Sequence, residues 1–187
     1  NLDWMWRVTW HNNVGYGIVY RNYNAEKEVH LLKTTDGINF NHVAQLPIDG
    51  GPNESTIRFD DKGKMYVLVR REDDDKMGVL AKSNYPYKSW TTKKLTKRLG
   101  GPNFMFLDDS SLVMGTRDYR KDGAKTVIHL TNLEGKINKS IDLPSGGDTS
   151  YPGLVIFKNK LWIVYYSSHE EKTSIYLTKI PLKTLKQ

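Results

Sequence analysis

The chain has 187 residues, of which 38% are hydrophobic and 11% aromatic, enough to bury the core of a domain. It has no cysteine, so neither a disulfide framework nor a thiolate metal site is possible. No apolar run approaches the roughly eighteen residues of a membrane span. The five histidines lack metal-ligand spacing, so we expect no metal and no cofactor.

The formal net charge of +7 favours acidic partners. The lysines are scattered through predicted turns and outer strands, however, and form neither a continuous basic stripe nor a known nucleic-acid motif. We therefore expect either a solvated basic surface or a preference for an anionic glycan, with no nucleic-acid partner and no membrane partner.

A repeated motif organises the chain. Gly-Gly-Pro-Asn occurs at residues 50–53 and again at 100–103. Each Gly-rich junction is followed by a short apolar run, a tight turn and a second run, and Arg21, Arg70 and Arg117 end three of these second runs. A period of about 47 residues built from short strands is typical of β-propeller blades. The sequence thus predicts an all-β propeller of four four-stranded blades, with approximate boundaries at 1–50, 51–101, 102–147 and 148–187.

Predicted strands follow the same order in each repeat. The second run of the first unit covers residues 16–21. The remaining predicted strands are, in chain order, 55–59, 65–70, 78–82 and 90–95; 104–107, 112–117, 126–131 and 137–143; and 153–157, 161–166 and 174–180. The last unit ends before a fourth strand, and no window has a convincing helical period.

Propellers with blades of this length usually close with more than four blades. The sequence also begins without Met and without a signal segment, so we expect an arc of a six-bladed ring. An open arc leaves an unpaired strand edge at each end. We therefore expect the chain to pair with missing N-terminal blades or with a copy of itself.

The first strand of each propeller blade lines the central channel, so equivalent positions in successive repeats converge there. These positions hold Arg7, Glu54, Asn103 and Tyr151, and the second strands add Arg70 and Arg117. Each residue also has a structural interpretation: Glu54 as a junction cap, Tyr151 as a core ring, and the arginines as exposed strand-end charges. Arg71 lies on the opposite strand face from Arg70, and we prefer Arg70 because it shares the register of Arg117.

Four segments in this order carry a family resemblance: residues 53–59, 61–70, 150–154 and 161–166. Together they resemble the second half of the active site of the sialidase (neuraminidase) superfamily. That superfamily is built as a six-bladed propeller with BNR (Asp-box) repeats, and this chain resembles its C-terminal four blades. Residues 34–40 look like a shortened Asp-box, the turn between the third and fourth strands of such blades.

The resemblance implies a retaining, exo-acting glycoside hydrolase for sialic acid or another acidic sugar. Tyr151 would be the nucleophile and Glu54 its base, because a neutral phenol avoids repulsion from a carboxylate on the anomeric carbon. Arg70 and Arg117 would bind that carboxylate through their guanidinium forks. Asn103 and Arg7 would make further contacts with the substrate.

Departures from the family pattern leave alternatives open. Residues 7–9 do not form the family's Arg-Ile-Pro motif, and no Asp follows at the place of the general acid, so we expect both on absent blades. One alternative is a propeller that binds a glycan without turnover. Another is a related propeller glycosidase that attacks a different sugar with carboxylates. A secreted or periplasmic location is expected for a glycan-directed propeller.

Two further expectations concern single residues. Trp4, Trp6 and Trp10 alternate along the first strand, so they should share one face and pack into the core; stacking on sugars is the alternative. Asp148 is expected to shape the Gly146-Gly147 turn that precedes it, or else to hydrogen-bond near Tyr151.

Overall fold

The computed structural model describes residues 3–23 and 26–185, and it is all-β apart from one short terminal helix. The strands of the first two sheets are β1 (Asp3–His11), β2 (Val14–Tyr23), β3 (Glu26–Thr34), β4 (Asn41–Gln45), β5 (Pro52–Phe59), β6 (Met65–Arg71), β7 (Met77–Ser83) and β8 (Thr91–Arg98). The remaining elements are β9 (Asn103–Asp108), β10 (Ser111–Arg120), β11 (Gly123–Asn132), β12 (Ile137–Asp142), β13 (Thr149–Phe157), β14 (Lys160–Ser167), β15 (Ser174–Pro181) and α1 (Leu182–Leu185).

The strands form four consecutive antiparallel sheets, each of them an up-and-down meander in chain order. Short hairpins join neighbouring strands, as in the blades of a β-propeller. The predicted all-β propeller class is confirmed. In the part of the chain that is described, the fourth sheet has three strands, β13-β14-β15, and continues into α1.

The described residues fall into two compact units, one up to Arg98 and one from Leu99 onward. In the first unit, residues such as Ile18, Leu31 and Val67 form a core shared by the first two sheets. In the second unit a separate core contains the side chains Val113, Ile128, Leu161, Ile163 and Tyr165. Each unit therefore buries the apolar faces of two blades against each other.

One face of the fourth sheet is apolar and exposed. Its members come from all three strands and are Val155, Phe157, Val164, Ile175 and Leu177. Ile175 is 73% exposed, although β14 buries alternate residues in the core on its other face. β14 is apolar on both faces, yet only one of them is covered by the core.

The expectation that the β1 tryptophans are core residues is wrong for two of them. Trp4 is 59% exposed and Trp10 is 54% exposed. The register shift of β1 between Met5 and Val8 places Trp4 opposite Tyr20 and Trp10 opposite Gly15, so these two side chains lie on opposite faces of the sheet and the expected alternation is broken. No helix of the described residues is long and apolar enough to cross a membrane.

Candidate functional site

Three of the four predicted first-strand residues lie in irregular stretches of their strands. The pairing of β1 with β2, of β5 with β6 and of β13 with β14 shifts register in the segments that hold Arg7, Glu54 and Tyr151. Asn103, in contrast, pairs regularly with Gly115. A bulge turns a side chain out of the normal alternation, and bulges are over-represented beside active sites. These three side chains are therefore aimed differently from their strand neighbours.

In the first unit, Glu54 and Arg70 form an ion pair. The Arg70 Nη1 donates to Glu54 Oε2 at 2.8 Å, and Arg70 Nε donates to Glu72. Arg98 Nη2 in turn donates to Glu72 Oε2 at 2.6 Å. Burial raises the pKa of Glu72, but the hydrogen bonds from Arg70 and Arg98 outweigh it and hold the pKa below its usual value. Glu54 and Arg70 are thus held together, as the sequence predicted, by charge-assisted bonds.

Arg7 lies close enough to Glu54 for their charges to interact, and Arg58 lies near Arg7. Burial lowers the pKa of Arg7, and the charge of Glu54 partly opposes that shift. Burial also lowers the pKa of Arg58 to about 10, with a further contribution from the positive charge of Arg7. We use the term guanidinium cluster for these side chains of the first unit: Arg7, Arg58, Arg70 and Arg98, together with Glu54 and Glu72.

Arg71 has a different role from Arg70. It is only 3% exposed, its Nε donates to the Asp49 carbonyl at 2.7 Å, and its Nη1 donates to the Met77 carbonyl at 3.1 Å. A Cβ at Gly50 would come within 1.9 Å of the Arg71 Nη2. Glycine is therefore needed in the first repeated junction to admit this arginine, and Arg71 is a structural residue.

In the second unit, Arg117 is anchored by three acceptors. Its Nε donates to the Thr149 carbonyl at 2.7 Å, and its Nη2 donates to Asp148 Oδ1 at 2.6 Å and to the Tyr166 hydroxyl at 2.8 Å. Asp148 therefore holds the guanidinium, while its expected role in shaping the glycine turn stays a prediction. Its side chain is largely exposed, so a solute carboxylate can compete with it for Arg117.

Tyr166 is a site residue that the sequence reasoning missed. Its hydroxyl donates to Asp148 Oδ1 at 2.7 Å. Burial and this hydrogen bond raise the pKa of Tyr166 to about 12, although the charge of Arg117 opposes the shift. Tyr166 is the last residue of the second run in its repeat, and Arg70 and Arg117 occupy the same position in theirs. This shared position could have identified Tyr166 from the sequence.

Tyr151 is half-buried and has a left-handed backbone, with φ of 52°. Its ring stacks on Tyr166, with centroids 5.8 Å apart and planes 19° apart. A Cβ at Gly101 would lie 2.6 Å from the Tyr151 Cδ1, so the second glycine junction makes room for this ring. A left-handed conformation costs a non-glycine residue about 1–2 kcal/mol and is concentrated at functional sites.

Asn103 is buried, and its amide is engaged with the protein. The Nδ2 donates to the Pro152 carbonyl at 2.8 Å, and Oδ1 accepts from the Phe104 amide at 2.9 Å. Asn103 thus supports the backbone directly after Tyr151. Its contact with a sugar stays a prediction.

The turn at residues 34–40 joins β3 to β4, the position expected of an Asp-box. The Asp36 carboxylate accepts hydrogen bonds from the Ile38 and Asn39 amides at 2.9 and 2.8 Å. These bonds, led by that from Asn39, hold the pKa of Asp36 well below its usual range. The identity of the turn as an Asp-box stays a prediction.

The structure thus brings the predicted residues together in two groups. Arg7, Glu54 and Arg70 form one in the first unit; Asn103, Tyr151 and Arg117 form the other in the second. Across residues 3–23 and 26–185, no group of three or more acidic, His or Cys side chains is placed to hold a metal ion.

No protein-family profile matches this sequence, and no curated protein matches it. Solved structures do resemble it. A Dyadobacter fermentans protein of unknown function has a TM-score of 0.80 at 19% identity over 93% of this chain and 52% of its own. An endo-1,4-β-xylanase from Bacteroides thetaiotaomicron has a TM-score of 0.69 at 14% identity over 92% and 67%.

A third similar structure has the same fold. A β-1,3-galactosidase of glycoside hydrolase family 43 has a TM-score of 0.67 at 8% identity, covering 94% of this chain and 44% of that one. The chain shares the fold of glycoside hydrolase propellers. It spans about half the length of the first and third of these structures.

Proposed function

We propose that the chain belongs to a propeller glycoside hydrolase that acts on an acidic sugar. The guanidinium cluster carries this proposal, because it gathers several arginine side chains beside Glu54 in a partly buried group. Arginine forks bind carboxylates bidentately, so a sugar carboxylate is the ligand group that this cluster favours. The similar glycosidase structures support a carbohydrate as the ligand.

The finer proposal is sialidase-like chemistry, supported by the sequence resemblance. Tyr151 attacks the anomeric carbon through its phenolic oxygen while Glu54 accepts the phenolic proton. The leaving oxygen departs with the bonding pair and takes a proton from a general acid that we expect outside this chain. Water then attacks the anomeric carbon and gives its proton to the conjugate base of that same acid; the bond to Tyr151 breaks, Glu54 returns its proton to the phenolic oxygen, and the sugar is released with retained configuration.

In this scheme Arg70 and Arg117 bind the substrate carboxylate, while Arg7 and Asn103 support the sugar. The Arg117–Asp148 pair lends support, because Asp148 already presents a carboxylate to that guanidinium. An incoming carboxylate can replace this exposed side chain at a small cost, since exposed ion pairs are weak.

The second candidate is a propeller glycosidase that attacks a different sugar with carboxylates as acid and nucleophile. One observation favours it: the similar structures include a xylanase and a galactosidase. The chain can also serve as a glycan-binding propeller without turnover.

One experiment separates these candidates. The protein, extended to its natural N-terminus, is assayed for release of sialic acid, glucuronic acid, xylose and galactose. Glu54→Gln and Tyr151→Phe are assayed alongside, with Tyr176→Phe as the control because the Tyr176 hydroxyl donates to Glu170. The sialidase-like proposal expects acidic-sugar release that falls by roughly 10²–10⁴-fold in Tyr151→Phe and is unchanged in Tyr176→Phe.

Release of xylose or galactose that survives Tyr151→Phe but not Glu54→Gln would favour the second candidate. Absence of release, with sugar binding that is lost in Arg70→Ala, would favour the binding propeller. Enzyme-like turnover by the 187-residue chain alone would contradict our placement of the general acid elsewhere.

We also propose that a further blade of the same protein covers the exposed apolar face of the fourth sheet. Ile175, Leu177 and their neighbours on this face form an exposed patch larger than scattered surface residues produce. The greater length of the similar structures fits this occupant.

The 187-residue chain should self-associate in light scattering, the longer protein should be monomeric, and Ile175→Lys should abolish the self-association. A chain that is monomeric by itself would contradict the proposal.

A further inference from the structure

A cleft of about 250 Å³ lies between the first and second blades of the first unit. It is formed by β2, β3 and β4 on one side and by the turn between β7 and β8 on the other. The side chains that matter for its chemistry are Tyr16, Lys33, His42, Tyr85, Tyr87 and Lys88. This volume is below the roughly 300–1,000 Å³ of pockets for drug-sized ligands, so the cleft suits a single sugar ring.

An exposed aromatic ring forms one wall of the cleft. Tyr85 is 80% exposed, and its ring stands nearly perpendicular to buried Tyr87, with centroids 5.7 Å apart. Tyr87 is fixed in turn, because its hydroxyl donates to the Gly63 carbonyl at 2.9 Å and its ring meets Tyr16 edge-on. The turn therefore presents Tyr85 to solvent on a rigid base. An exposed aromatic face is suited to stacking on the apolar face of a pyranose.

The polar side chains of the cleft are basic. Lys33 and Lys88 are both exposed, and no carboxylate lines the cleft in the described part of the chain. The His42 ring is held by His30, whose Nδ1 lies 3.1 Å from the His42 Nε2. His30 Nε2 is fixed by Glu28 Oε2 at 2.8 Å. A ligand in this cleft would thus meet two ammonium groups and an oriented imidazole.

This cleft lies at the opposite end of its blade from Glu54. Pro52 pairs with Arg71 at one end of β6, whereas Met65 pairs with Ser83 at the other, just before the turn that carries Tyr85. β6 is seven residues long, or about 20 Å at the rise of a strand. A ligand in the cleft would therefore be separate from the guanidinium cluster.

We propose that the cleft is a second carbohydrate site that binds one acidic sugar residue. The sugar ring stacks on Tyr85, and its carboxylate lies between Lys33 and Lys88. Such a site would hold a polymeric or branched acidic glycan by a residue distant from the one being processed. It goes beyond the proposed function, because it needs neither Glu54 nor Tyr151.

The test is an NMR titration of the chain carrying Ile175→Lys, which we expect to be monomeric, with methyl β-D-glucuronide, and with methyl β-D-glucoside as the matched neutral sugar. We expect shifts of the amides of residues 84–88 and millimolar affinity. The glucuronide should bind at least about threefold more tightly than the glucoside, and this margin should shrink in high salt. Tyr85→Ala should weaken binding roughly tenfold and Lys88→Ala about threefold.

Lys93→Ala, which removes an exposed lysine on β8 away from the cleft, should leave the affinity unchanged. Glu54→Gln should also leave it unchanged, so failure of the proposed catalytic site does not affect this test. Equal affinity for the two sugars, full affinity in Tyr85→Ala, or no shift at residues 84–88 up to roughly 10 mM ligand would each overturn the proposal.

Discussion

Replacing Arg71 by methionine should destabilise the first unit without touching Glu54 or Arg70. The substitution keeps an apolar stem but removes the donors that satisfy the Asp49 and Met77 carbonyls. A fully buried acceptor left without its donor costs about 1–3 kcal/mol, and these two carbonyls are part-buried, so the free energy of unfolding should fall by about 1–3 kcal/mol in total. That is a large part of the roughly 5–15 kcal/mol of a typical domain.

The loss is measurable by urea denaturation followed by tryptophan fluorescence. Four of the five tryptophans lie in the first unit with Arg71, and Trp162 is in the second. Arg21→Met is the matched control, because Arg21 is 40% exposed and bonds the carboxylate of Asp3. Its midpoint should stay close to that of the parent. The reasoning fails if Arg71→Met loses no more stability than Arg21→Met, since burial of the acceptors would then have no consequence.

Two more predictions concern a glycine junction and an acidic turn. Gly101→Ala should displace the Tyr151 ring and reduce sugar release or binding. Gly123→Ala, which also has positive φ but open space around its Cβ, should lower the melting temperature without that functional loss; equal functional effects would contradict the contact. The hydrogen bond from Lys94 lowers the pKa of Asp75 to about 2. Because its folded-state pKa lies below the unfolded value of about 3.9, Asp75 stabilises the fold above pH 4, and this contribution is lost as the pH falls toward 2. Melting temperatures should therefore fall less steeply between pH 4 and pH 2 in Asp75→Asn than in the parent, and identical slopes would refute the assignment.

The strand pattern was predictable because it depends on short-range chemistry. Glycine and Asp-rich turns punctuate the chain, and the predicted strand at 112–117 lies inside β10, Ser111–Arg120. The repeat spacing further placed Glu54 and Arg70 on adjacent strands, and the structure joins them in an ion pair. The sequence alone also predicted that Arg70 and Arg71 lie on opposite faces of their strand, since neighbouring residues on a strand face opposite sides.

What the tertiary structure alone decided was the register of pairing and which faces are covered. No residue type in the sequence indicates the irregular segments that change the direction of the Arg7, Glu54 and Tyr151 side chains, because a bulge depends on how two strands pair. The same holds for Trp10, whose exposure depends on whether another layer covers its face. Local propensities therefore set the blades of this protein, while long-range packing set the direction of its functional side chains and left one apolar face open.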